Sequence, residues 1–219
     1  MNGQILYQHV ARIGLAASNP HRLRALNLLA QSEKSVDVLA DLLGLSLAAT
    51  SAHLKVLRSA CLVDSRKEGR NVFYRLADES VGSLLLSLRR TGERLLPEIR
   101  EVVRDYHEDR DAMSQLIGEE LLDRVRSGAV TLIDLRPEVE YRAGHFPGAR
   151  SVPVDQLEQF IAFAGKRKPI VAYCRGPYCV AALEGVTRLR EAKLNATRLE
   201  WGVLEWREAG LPLERENAA

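Results

Sequence analysis

Cysteine is scarce. The chain has three among 219 residues, Cys61, Cys174 and Cys179, too few for a fold stapled by several disulfides. Aromatic residues make up only 5%. No apolar run approaches the roughly 20 residues that a membrane span needs. The opening residues, MNGQILYQHVARIGLAASNPHR, lack a basic start followed by a long apolar stretch, so no signal peptide is expected. Together these absences predict a cytoplasmic protein with no membrane partner, in a compartment where thiols are mostly kept reduced. A close cysteine pair is there expected to be reactive or metal-binding rather than structural.

A strong overall charge is also missing: the net is +2. Its distribution is uneven. Residues 1–77 carry ten Lys and Arg against five Asp and Glu, whereas residues 113–219 carry fifteen of each. A small basic front hints at a nucleic-acid partner. The length suits two domains of about 100 residues each.

The front half reads as helices. Residues 4–17 place Ile5, Leu6, His9, Val10, Ile13 and Leu15 near one face. Ser18-Asn19-Pro20 stops that helix and starts the next. Ser35 caps VDVLADLL, which ends at Gly44, and Ser46 caps LAATSAHLKVLRSA. The period then changes. LVDSRKEGRNVFYRLA predicts two short strands around a basic turn at Gly69. Residues 79–106 return to helix, with Leu88, Leu95 and Val102 seven apart, a stripe that suits a partner helix. Pro97 is expected to kink it, and the polar HEDRDAMS, 107–114, is expected to be a linker. The rear half alternates strand and helix with short links, from VTLIDL to VLEWREAG. That order implies a parallel α/β sheet.

Two short helices followed by a basic hairpin form the layout of a winged helix-turn-helix. The segments NPHRLRALNLLAQSEKSVDVLADLLGLS and SAHLKVLRSACLVDSRKEGRNVFYRL resemble ArsR/SmtB-type repressors over roughly residues 2–100. The resemblance implies a homodimer on double-stranded operator DNA. The second helix would offer Ser46, Thr50, Ser51, His53 and Lys55 to the major groove. The wing would lay Arg66, Lys67 and Arg70 along phosphates. The recognition stretch, SLAATSAH, is poor in long polar side chains, which shifts weight to Lys55, the wing and DNA shape. Metal-sensing members carry Cys-x-Cys in the third helix, and this chain has no cysteine there. Asp105, His107 and Asp109 read either as a solvated helix end or as zinc ligands across a dimer. Cys61 reads as a small buried hydrophobe, with a sensor thiol as the alternative.

LIDLRPEVEYRAGHFPGARSVP resembles the opening motif of rhodanese-like domains, through Asp134, Arg136, Glu140, Gly144, His145, Pro147, Gly148 and Ala149. LEWGVLEWREAGLP resembles the closing motif, through Gly202, Trp206, Gly210 and Pro212. Between them lies YCRGPYC. The resemblance makes Cys174 the nucleophile that takes sulfane sulfur as a persulfide. The loop around it is Arg175, Gly176, Pro177, Tyr178 and Cys179. A thiol attacks as the thiolate, which backbone N–H groups, the following helix dipole and Arg175 would favour. Gly stands one place early and Cys179 fills the sixth place, which counts against fast turnover with thiosulfate. Cys179 could instead resolve a persulfide into a bridge. A cysteine phosphatase would need Arg where Val180 stands. Arsenate reduction would call for more basic residues than Arg175. Zinc at Cys174 and Cys179 has only His145 as a further ligand.

The expected fold is thus multidomain, α and α/β. A winged helix-turn-helix over 1–106 and a rhodanese-like domain over 115–219 with a parallel sheet are joined by 107–114. The expected function is a DNA-binding regulator whose rear domain senses or transfers reactive sulfur from a small donor such as thiosulfate or a persulfide. The alternative is a sulfurtransferase enzyme with an autoregulatory DNA-binding half. No cofactor or metal is assigned.

Overall fold

The computed structural model describes residues 3–107, 116–165 and 167–216, without the side chains of 103–107. The chain divides into two compact units, residues 1–91 and 92–219. Among the described residues no single helix is long and apolar enough to cross a membrane.

The first unit opens with α1 (Gly3–Ala17) and α2 (Pro20–Leu29). Asn19 caps α2 by accepting from the backbone N–H of His21 at 3.0 Å and of Arg22 at 3.2 Å, and Pro20 needs no partner for a missing N–H. A two-residue strand, β1 (Lys34–Ser35), leads into α3 (Val36–Leu43) and α4 (Leu47–Ser59). Ser35 and Ser46 cap these helices through Val38 and Ala49. Gly44 ends α3 with a φ of +68°, in the left-handed region that side chains with a Cβ avoid. The turn sets α3 and α4 at 107° to each other. Strands β2 (Val63–Glu68) and β3 (Asn71–Leu76) form the antiparallel wing, from Val63↔Leu76 to Glu68↔Asn71. β1 pairs with β3 on its other edge. Leu26, Leu39, Leu54 and Leu57 form the core. Each is at most 2% exposed, and each contributes on the order of 2 kcal/mol by leaving water.

Residues 79–107 form two helices, α5 (Glu79–Leu95) and α6 (Pro97–His107), rather than one bent helix. Pro97 has no N–H to continue the ladder and restricts Leu96 before it, so the helix ends and restarts. Val81 joins the core of the first unit. The linker expected over 107–114 lies outside the described residues, the backbone of His107 apart.

The second unit is an α/β layer structure. In chain order it runs α7 (Gly118–Arg126), β4 (Thr131–Asp134), α8 (Glu138–Ala143), β5 (Arg150–Ser151), a 3-10 turn (Val154–Gln156), α9 (Leu157–Phe163), β6 (Ile170–Tyr173), α10 (Val180–Glu191), β7 (Ala196–Arg198) and α11 (Val203–Glu208). The sheet is parallel, in the order β5-β4-β6-β7. All four residues of β6 are buried, as a strand covered on both faces requires. Alternation along β6 sends Val171 and Tyr173 to one core, with Phe146 and Trp206. It sends Ala172 and Cys174 to the other, with Leu157, Ala182 and Leu189. Cys174 therefore emerges on the α10 side of the sheet.

Candidate functional site

The cysteine loop spans Cys174 to Cys179, from the end of β6 to the start of α10. Gly176 has a φ of +134°, and its carbonyl accepts from the N–H of Cys179 at 3.2 Å. Together these fold the loop back on itself. The structure joins Cys174 and Cys179 in a disulfide with Cα atoms 6.2 Å apart, inside the usual span for such a bridge. Cys174 is buried and Cys179 half-buried. The Arg198 guanidinium donates to the carbonyl of Pro177 and pins the far side of the loop. Tyr178 is half-buried.

Gly202 forms the floor. A Cβ built there would lie 2.5 Å from the Gly176 nitrogen and 2.8 Å from the Cys174 carbonyl oxygen. Only a glycine lets the closing segment approach the loop backbone this closely. Its N–H donates to the buried Glu205 carboxylate at 2.9 Å, which fixes the start of α11.

The charge of Arg175 is engaged by a carboxylate. Its Nε donates to Glu140 Oε2 at 2.8 Å and its Nη2 to Glu140 Oε1 at 2.8 Å. Glu140 is 1% exposed, so the fork–fork pair anchors the loop to α8. Asp134 and Arg136 support the same end of the sheet. Both are fully buried, and Arg136 Nη2 donates to Asp134 Oδ2 at 2.6 Å and to the Gly144 carbonyl at 2.7 Å. Burial works against the Arg136 charge, but Asp134 outweighs it and raises the pKa above its ordinary value. Burial pushes the Tyr173 hydroxyl well up as well, and that hydroxyl accepts from the N–H of Phe146 at 3.0 Å. His145 stacks on Tyr141, with centroids 3.7 Å apart, and its Nδ1 donates to the Tyr141 carbonyl at 2.9 Å. These contacts give His145 a structural role.

A cleft of about 370 Å³ opens beside Cys174 and Arg175, walled by Leu135, Pro137, Glu138, Val154 and Asp155. Sequence reasoning found the loop but not this wall. Nothing in a motif signals that the turn before α9 folds over the cysteine.

In the first unit, Ser46, Ser51 and Lys55 are exposed on α4. Thr50 is corrected: it is fully buried, on the core side of α4 with Leu54 and Leu57, and cannot reach a groove. His53 is half-buried and stacks on His21 at 5.6 Å. Burial, Arg22 and His21 lower its pKa. Leu47, Ala48 and Ala52 are exposed on the same helix, an apolar component that polar residue types alone do not signal. On the wing, Arg66 Nε donates to Glu33 Oε1 at 2.8 Å, and its Nη1 pairs with Glu68. Among the described residues Lys67 and Arg70 form no ion pair, so they carry the unengaged charge of the wing.

Cys61 is exposed, which corrects its reading as a buried hydrophobe. It follows α4 with a φ of +58°. Its N–H bonds the Arg58 carbonyl at 3.0 Å, and that of Leu62 bonds Leu57 at 3.0 Å. This is a Schellman helix end with cysteine in the position glycine prefers, and it turns the side chain to solvent. Among the described residues no group of three or more His, Cys, Asp and Glu could hold a metal. The side chains of Asp105, His107 and Asp109 lie outside that set.

Comparison with known proteins agrees with both halves. The pattern of the arsR family of bacterial regulatory proteins matches residues 19–65, and that of the rhodanese-like domain matches residues 118–209. The HTH-type transcriptional regulator Rv0324 of Mycobacterium tuberculosis is 41% identical over 210 residues, covering 95% of this chain and 92% of that one. A transcriptional repressor SmtB homolog of Synechocystis is 43% identical over 77 residues, 35% of this chain and 58% of the relative. Among solved structures, the homodimeric winged helix-turn-helix DNA-binding domain of Mb0332 from Mycobacterium bovis is 37% identical. It covers 44% of this chain and 90% of its own, with a TM-score of 0.42. With a winged helix in front, a parallel α/β sheet behind, both family patterns matched and a transcriptional regulator aligned over nearly its whole length, the chain belongs to the ArsR family of HTH-type transcriptional regulators and carries a C-terminal rhodanese-like domain.

Proposed function

We propose that this regulator is a homodimeric repressor that reads reactive sulfur at Cys174 and reports it as a change in operator affinity. It would act in the cytoplasm, with domains over 1–106 and 115–219 joined by 107–114. The pairing of Cys174 with Cys179 carries the reading. The thiolate of Cys174 attacks the terminal sulfur of a persulfide donor R–S–SH. A bond forms between the two sulfurs, the donor S–S bond breaks, and RS⁻ leaves with the electron pair. Cys179 thiolate then attacks Sγ of the Cys174 persulfide and expels HS⁻, leaving the bridge. Atoms and charge balance in both steps, and no outside oxidant is needed.

Two observations favour a sensor over a turnover enzyme. A second cysteine stands within bridging distance, so the persulfide has a built-in exit. The charge of Arg175 is engaged by buried Glu140 and is offset before a donor arrives. DNA contact falls to Ser46, Ser51, His53 and Lys55 on α4 and to Arg66, Lys67 and Arg70 on the wing. Exposed Leu47, Ala48 and Ala52 suit thymine methyl groups. Dimerisation rests on apolar side chains left exposed on α1 (Ile5, Leu6, Tyr7, Val10) and on α5 and α6 (Leu88, Leu95, Val102), more than a lone surface would leave uncovered.

Intact mass tests the chemistry. Reduced protein is exposed to thiosulfate or to glutathione persulfide, beside Cys174→Ser and Cys179→Ser. A bridged wild type, a sulfur adduct that persists in Cys179→Ser, and no adduct on the loop of Cys174→Ser are expected. No Cys174-dependent change with either donor overturns the reading.

A further inference from the structure

The cleft beside Cys174 has a charge that the loop motif does not show. Two carboxylates, Glu138 and Asp155, line it. The one cation among its lining residues, Arg175, is bound through two nitrogens to buried Glu140. Glu138 stays ionised: the Ser151 hydroxyl donates to it, and Arg142 Nε donates to its Oε1 at 3.1 Å. These contacts, that of Ser151 first, lower its pKa below the usual carboxylate range. Asp155 is exposed, and among the described residues no cation pairs with it. The remaining wall is apolar, from Leu135, Pro137, Pro153, Val154 and Ala181, apart from the Gln156 amide.

A volume of about 370 Å³ accepts a small persulfide and falls at the low end of ligand pockets. The charge decides which one. A dianion such as thiosulfate must approach Cys174 past exposed Asp155 and past Glu138, which Arg142 only partly offsets, while Arg175 is already engaged by Glu140. An ammonium group on the donor would instead be drawn to those carboxylates. We propose that Glu138 and Asp155 are specificity-determining residues that select an aminothiol persulfide, a sulfane donor bearing an ammonium group, and reject dianionic donors. This rests on the reading of Cys174 as the sulfur-accepting nucleophile.

The test uses the reduced full chain and follows, by intact mass, the rate at which each donor modifies Cys174. The donors are cysteamine persulfide and thiosulfate, at low and high salt. The variants are Asp155→Asn, whose side chain is exposed and leaves the fold intact, and Asp155→Asn with Glu138→Gln. In the wild type, added salt slows cysteamine persulfide and speeds thiosulfate. In the double variant, the preference for cysteamine persulfide falls by roughly tenfold, the single variant lies between, and the salt effects shrink. If the preference and salt effects match the wild type in both variants, the selection proposal is overturned while Cys174 stays the nucleophile. If neither donor modifies Cys174 in any form, the sulfur reading and this proposal fail together.

Discussion

Arg136 with Asp134 and Arg66 with Glu33 are the same chemical pair in opposite surroundings. The first is fully buried, with further hydrogen bonds to the Arg136 backbone and the Gly144 carbonyl. The second lies on the wing, with the Arg66 side chain 53% exposed. Inside, removing either partner strands a charge where water cannot reach it. Outside, water and salt replace the partner at little cost. The buried pair can therefore serve only the fold. The exposed one can exchange its carboxylates for DNA phosphates. The same division separates the two units as functional surfaces: the wing keeps its charge exchangeable, and the cysteine loop is held by contacts that do not exchange.

The largest effect is expected from Asp134→Ala. It should cost about 3–5 kcal/mol by leaving Arg136 buried and unpaired, seen as loss of the second unit's cooperative unfolding by calorimetry while the first still unfolds. A smaller effect is expected from Gly202→Ala. The added Cβ meets loop backbone, and overpacking of this kind costs about 1–3 kcal/mol; the loop should shift and the Cys174–Cys179 bridge form more slowly in a timed thiol assay. On the exposed side, Arg66→Ala should change stability by less than about 1 kcal/mol. It should still weaken DNA binding and reduce the salt slope by about 1. If Arg66→Ala costs as much stability as Asp134→Ala, burial is not what separates the pairs.

The smallest effect concerns His53. Its pKa in the fold lies below the unfolded value, with burial the main cause. The unfolded chain then binds more protons near the ordinary histidine pKa of about 6.5, so stability rises with pH there and falls as pH drops through that value. Denaturant titrations from neutral to mildly acidic pH should show this slope in the wild type and a flatter one in His53→Gln.

The elements with strong local chemistry were legible in the sequence. Asn19, Ser35, Ser46 and Gly44 placed four helix boundaries, because a cap needs only residues nearby in the chain. The alternation of strand and helix foretold the parallel sheet. The two-residue strands β1 and β5 were missed, since partners far along the chain define them, and α7 passed unread. Pro97 was noted as a kink, but its missing N–H ends a helix outright. At the site, the loop and its second cysteine stood out. The role of Arg175 did not, because its partner Glu140 lies 35 residues away. Thr50 and Cys61 were misassigned because which way one side chain faces is settled by the turn of a helix and the handedness of its end.

Sulfur chemistry in one domain is proposed to change DNA binding by the other. The most direct measurement is operator affinity of the full chain by titration at fixed salt, reduced and after treatment with a persulfide donor, beside Cys174→Ser treated in the same way. A change of about 5- to 150-fold in the wild type, absent in Cys174→Ser, is the predicted result. Equal affinity of the reduced and bridged wild type, or an equal response in Cys174→Ser, would contradict it.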